Sequence, residues 1–116
     1  MNLYTCSIDI VDGAKALSFA RAVHDWMTHL NDAGAIRDWR LLRRKLNLAS
    51  DSHRDFLLEV EVDDLAQLDR AFRMLGQHDD TVERLYGLVA SHVAKAEFGL
   101  YRPFPDPERA ERMALI

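Results

Sequence analysis

The amino-acid sequence predicts an α+β domain: four strands in one antiparallel sheet, with the helices on one of its faces. Three observations predict it. Stretches that alternate apolar and polar residues open and close the chain, at 2–11 and 93–102. Two more, 36–47 and 54–62, flank the short turn-rich link ASDSH, which points to a hairpin. Between these stretches, apolar residues recur at three- and four-residue steps over 14–33 and 63–76, the spacing of amphipathic helices.

The first strand (NLYTCSIDIV) sets Tyr4, Cys6, Ile8 and Ile10 on one side and Thr5, Ser7 and Asp9 on the other. Asp12-Gly13 ends it, and Asp12 is an N-cap for the first helix. That helix carries the stripe Ala16, Phe19, Ala20, Val23, Met27 and Leu30, with Gly34 as its stop. In the hairpin, a turn centred on Asp51 pairs Arg43 with Glu59 and Leu46 with Phe56. That register gives one face Leu42, Leu46, Phe56, Leu58, Val60 and Val62, and the opposite face Trp39, Leu41, Arg43, Lys45, Leu57, Glu59 and Glu61.

The second helix is capped by Asp63 or Asp64, has the stripe Leu65, Leu68, Phe72 and Leu75, and ends at Gly76. The run Asp80-Thr81-Val82-Glu83 resembles a capping box for a further helical stretch through Val82, Leu85 and Val89. In the last strand Ala94, Ala96, Phe98 and Leu100 oppose Lys95, Glu97, Gly99 and Tyr101. Pro103, Pro105 and Pro107 then bar regular structure, so one domain over 1–104 is expected, with a tail over 105–116.

The order β-α-β-β-α-(α)-β is the split βαβ pattern of the ferredoxin-like fold. Right-handed crossovers put both main helices on one sheet face. The other face is then half apolar, with Trp39, Leu41, Leu57 and Tyr101 among Asp9, Arg43, Glu59, Glu61, Lys95 and Glu97. Left wet, it would expose large aromatics; covered by a second copy it becomes a two-fold interface.

The stretches MNLYTCSIDI, DWRLLRRKLNL, EVEVDDLAQLDRAF and FGLYRPFPDP, with this element order, resemble the dimeric α/β-barrel superfamily, and within it a small bacterial branch of uncharacterised proteins. The resemblance covers nearly the whole chain and brings no catalytic signature. It implies a homodimer whose sheets face each other around a shared interior. In the wider superfamily that interior binds small organic molecules, and some members are cofactor-independent monooxygenases, muconolactone isomerases or haem enzymes.

Composition narrows the function classes. At 116 residues, 48% hydrophobic and 29% charged, the chain can bury a core without staples. Cys6 is the single cysteine, so no intrachain disulfide forms, in keeping with a reducing, cytoplasmic setting. No signal peptide or membrane-spanning run is visible. A net charge of −4 argues against bulk attraction to nucleic acid. The basic run Arg37, Arg40, Arg43, Arg44, Lys45 is split between two strand faces without aromatic platforms, as in a solvated edge strand.

Motif chemistry is sparse. GxGxxG, Walker, GxSxG and CxxC patterns are absent. His24 and His29 are five apart on one helix, His53 lies in a turn, and His78 and His92 come after helical stretches, so no histidine pair has metal spacing. His78 or His92 could be nominated as a haem ligand, but capping or surface roles account for both. No metal and no cofactor are therefore expected.

The candidate ligand-cleft residues are Asp9, Trp39, Arg43, Glu59, Glu61, Lys95, Glu97 and Tyr101, all assigned to the open sheet face. Paired carboxylates can do acid–base work when burial splits their pKa values. A salt-bridged dimer seam through Arg43 and Lys95 explains the same set without chemistry. Two functions fit this reading, a homodimer binding a small organic molecule between its sheets or a structural or regulatory partner protein, and the superfamily resemblance implies a third, a cofactor-independent monooxygenase or isomerase.

Overall fold

The computed structural model describes residues 1–46, 48, 50 and 53–105. The elements are β1 (Asn2–Ile10), α1 (Ala16–Asp32), β2 (Asp38–Arg43), β3 (Phe56–Val62), α2 (Leu65–Leu75), α3 (Asp80–Ala90) and β4 (Val93–Tyr101). The strands form one antiparallel sheet in the order β2-β3-β1-β4, so β1 and β3 are central, as the ferredoxin-like pattern requires. Of the expected tail, residues 106–116 lie outside the described residues, as does Asp51, the expected turn centre.

Local signals explain the element ends. Asp12 accepts from the Ala14 N–H at 3.0 Å and holds the short 3-10 turn that leads into α1. Gly34, at φ +72°, turns the chain out of α1, with its N–H on the Asn31 carbonyl at 3.0 Å. Asp64 caps α2 by accepting from the Gln67 N–H at 2.8 Å. The buried Gln67 amide answers by accepting from the Asp63 N–H and donating to the Gly34 carbonyl, which ties the start of α2 to the end of α1. Helix α3 is capped by Asp79, one residue before the expected box, through the Thr81 and Val82 N–H groups.

The core lies between the helices and one sheet face. Cys6 and Ile8 from β1 and Phe56, Leu58, Val60 and Val62 from β3 pack against Phe19, Val23, Trp26, Met27 and Leu30 of α1. The Phe19 and Phe56 ring centroids are 5.0 Å apart. Trp26 is a core residue that the expected stripe omits.

Two expectations are corrected. Arg43 pairs with Phe56 and Arg40 pairs with Glu59, a slip of three residues from the expected hairpin register. An odd slip inverts the faces of β2. Trp39 and Leu41 therefore join Val60 and Leu58 on the helix side, and Leu42 joins Leu57 on the open side. Both phases of the segment offer apolar residues. The helix-facing phase prevails because Ala35 and Ile36 are buried just before it and α1 supports Trp39, whose ring meets His24 edge-on at 5.8 Å.

The second correction concerns α2. Its buried residues are Gln67, Leu68 and Ala71, whereas Phe72 is 47% exposed. The Phe72 ring stands edge-on to Tyr4, at 5.5 Å and 86°, rather than inside the core.

Candidate functional site

The open face carries rows of cross-strand neighbours, since paired residues point to the same side. The central row runs Arg40, Glu59, Thr5, Gly99. Arg40 grips Glu59 with two hydrogen bonds, Nε to Oε1 at 2.9 Å and Nη2 to Oε2 at 3.2 Å. Glu59 is buried although it faces away from the helices. Gly99 leaves room for the Tyr101 ring: a Cβ there would stand 3.1 Å from Tyr101 Cε2 and 3.0 Å from Thr5 Oγ1.

One corner of this face holds a second ionic group. The Arg54 guanidinium donates to Asp9 Oδ2 at 3.0 Å and makes a very short contact with Glu97. The Asp55 N–H donates to Asp9 Oδ1 at 3.0 Å. Desolvation pushes the Asp9 carboxyl up, but the Asp55 N–H and the Arg54 guanidinium outweigh it and hold the group below the usual carboxylate range. Glu97 is also held low, chiefly by its hydrogen bond from Arg54. The same two carboxylates, Glu97 first, raise Arg54.

Of the eight expected cleft residues, Asp9, Glu59, Glu61, Lys95, Glu97 and Tyr101 share the open face. They do not form one cluster. Asp9 is level with Lys95 at one end, Glu59 is central, and Glu61 and Tyr101 flank Leu3 at the other end. Trp39 and Arg43 are on the helix side instead. The Arg43 guanidinium lies 5.5 Å from the Phe56 ring centroid. Among the described residues, the cations hydrogen-bonded to the open-face carboxylates are Arg40 and Arg54, with Lys95 adding its charge near Glu97. Neither is separable from its basic neighbours by periodicity while the hairpin register is open.

The helix side holds a feature that strand periodicity does not reveal. A cavity of about 460 Å³ lies between the sheet and the three helices. Its walls come from Tyr4 and Cys6 of β1, Trp26 of α1, Phe72 of α2, Tyr86 of α3 and Phe98 of β4, with aliphatic residues between them. The volume is within the roughly 300–1,000 Å³ typical of small-molecule sites. Its sequence signal is the surplus of aromatics on helix-facing positions. Phe72 and Phe98 stay 47% and 65% exposed at its rim. Tyr4 stacks on Phe98 at 6.0 Å and 14°.

Burial raises the Tyr4 phenol far above its ordinary value, with Cys6 and Tyr86 adding to the effect. Burial likewise pushes the Cys6 thiol up to about 11, against a smaller lowering by the Tyr4 hydroxyl. Both groups are therefore protonated at neutral pH. Among the described residues, no three His, Cys, Asp or Glu side chains are grouped to hold a metal ion. No helix in the described part is long and apolar enough to cross a membrane.

The whole chain, residues 1–116, matches one family model. The chain belongs to DUF6614, a family of unknown function. No curated protein matches it. Solved structures share its fold at low identity. A DABB-family protein of ferredoxin-like fold from Mesorhizobium loti is 19% identical, with TM-score 0.61 over 89% of this chain and 96% of its own. A dimeric ferredoxin-like protein of unknown function from Jannaschia is 10% identical, with TM-score 0.64 over 88% and 98%. SnoaB, a cofactor-independent oxygenase from Streptomyces nogalater, is 11% identical, with TM-score 0.64 over 90% and 97%. The DUF6614 chain thus has the architecture of dimeric ferredoxin-like proteins, and at these identities the likeness concerns fold alone.

Proposed function

We propose that this DUF6614 chain is a cytoplasmic homodimer that binds a small, largely apolar organic molecule in each protomer, in the cavity between the sheet and its helices. The observation that carries the reading is the cavity itself, about 460 Å³, with Tyr4, Cys6, Trp26 and Tyr86 as the residues with polar atoms in an otherwise apolar wall. The open face is the surface offered to the second copy. Leu42, Leu57 and Tyr101 are 42%, 36% and 62% exposed there and need cover. Asp9, Glu59, Glu61, Lys95 and Glu97 then belong to the seam rather than to a ligand cleft. The dimeric Jannaschia protein of the same fold supports this assembly.

Binding is favoured over catalysis by the protonation of the cavity. An oxygenase without a cofactor needs a base to raise an electron-rich substrate anion. The described residues lining the cavity include no carboxylate and no imidazole. Two of its polar groups, the Tyr4 phenol and the Cys6 thiol, are held protonated by burial. Native mass spectrometry of protein purified from cells tests the proposal. The expected species is twice the 13.3 kDa chain, with a noncovalent adduct lost on collisional activation. A monomer without adduct, which also takes up no added apolar ligand, would overturn it.

A further inference from the structure

Taking the helix-side cavity as the ligand site, we propose that it selects uncharged aromatic molecules bearing a hydroxyl or carbonyl oxygen, and that the Tyr4 hydroxyl reads that oxygen. The first support is the polar inventory of the wall. Its described residues include no Asp, Glu, Lys, Arg or His. What remains is the phenols of Tyr4 and Tyr86, the Cys6 thiol and the Trp26 indole N–H, all of them neutral donors. A ligand carboxylate, phosphate or ammonium would leave water there without meeting an opposite charge, which disfavours its binding. A neutral oxygen would exchange water for a phenol donor at little cost.

The second support is the shape of the aromatic wall. Tyr4 is stacked with Phe98 and edge-on to Phe72, and Tyr86 is edge-on to Trp26 at 6.0 Å and 65°. Rings presented in both orientations suit a flat ring, which prefers offset-stacked or edge contacts. Tyr4 is on a central strand, locked between Phe72 and Phe98, so its hydroxyl is fixed relative to that wall. It acts as a donor and not as a base, because burial favours the neutral phenol.

Calorimetric titration with 2-naphthol and 2-naphthoate tests both parts, on the wild-type protein and on Tyr4→Phe, which keeps the ring and its packing. The expected result is that naphthoate binds at least about tenfold more weakly than naphthol at neutral pH. Tyr4→Phe should weaken naphthol by roughly three- to tenfold while leaving its thermal midpoint near that of the wild type. Equal affinity for the two probes overturns the selection for neutral ligands while leaving the cavity as the ligand site. Unchanged naphthol affinity in Tyr4→Phe overturns the role given to that hydroxyl. Binding of neither probe at millimolar concentration overturns the cavity as a ligand site and the selectivity with it.

Discussion

Arg40 and Glu59 form a two-point ion pair in the middle of the open sheet face, with the Glu59 side chain only 11% exposed and the Arg40 side chain 67% exposed. The carboxylate is on a central strand and its cation is on the edge strand β2. The pair thus presents a fixed, partly desolvated charge pattern beside the exposed Leu42 and Leu57.

If a second copy covers this face, reversing one charge should break the assembly. Arg40→Glu sets two carboxylates against each other where one pair stood, and leaves Glu59 without its partner. Sedimentation velocity at micromolar concentration should show a dimer for the wild type and at least a tenfold weaker dimer for Arg40→Glu. An unchanged dimer would mean that the interface is elsewhere.

The Arg54 corner makes a pH-dependent contribution. Asp9 and Glu97 have folded-state pKa values below their ordinary 3.8 and 4.5. Stability from a depressed carboxylate is fully present above the unfolded value and is lost as pH falls through the folded one. Arg54→Ala removes the chief cause of the Glu97 depression and part of that at Asp9, where the Asp55 N–H still holds the carboxylate. The variant should therefore be less stable than wild type at pH 7, with the gap starting to close below about pH 4.5 and closing further below 3.8 as first Glu97 and then Asp9 take up protons. Urea midpoints across that range measure it, and a gap independent of pH would contradict the assignment.

The opposite sign applies at alkaline pH. The Cys6 thiol is raised from 9.0 to about 11, so its burial stabilises the fold fully below pH 9 and progressively less up to 11. The full shift corresponds to about 2–3 kcal/mol. Between pH 8 and pH 10.5 the wild type should lose up to about 2 kcal/mol more stability than Cys6→Ala. Parallel losses would indicate a thiol already reached by solvent.

Core and rim should separate in a truncation series. Phe19 is fully buried, and Phe19→Ala should cost about 3–5 kcal/mol. Phe72, half-exposed at the cavity mouth, should cost about 1 kcal/mol when changed to Ala, close to the effect of a surface site such as His24. A Phe72→Ala loss as large as that of Phe19→Ala would put the α2 aromatic in the core after all.

How much could be read from the sequence depends on how strongly each signal is over-determined. Strands β1 and β4 have one plainly apolar phase, so Asp9, Lys95, Glu97 and Tyr101 reach the expected face. The β2 segment has apolar residues in both phases. Its face depends on the loop between residues 44 and 55, where the Arg44 N–H meets the Asp55 carbonyl at 2.8 Å, and no local pattern sets that pairing. Trp39 and Arg43 changed faces for this reason. Arg54, just outside a strand, reaches its two carboxylates only through tertiary structure. The cavity is less legible still. Phe72 falls on the apolar stripe of its helix, but periodicity cannot tell a stripe that is packed from one that lines an opening.

The most direct measurement is a crystal structure of the protein soaked with 2-naphthol. Density for the ring among Tyr4, Trp26, Phe72 and Phe98, with its oxygen within hydrogen-bond distance of the Tyr4 hydroxyl, is the expected result. Density between two facing sheets, against Arg40 and Glu59, with the helix-side cavity empty, would contradict it.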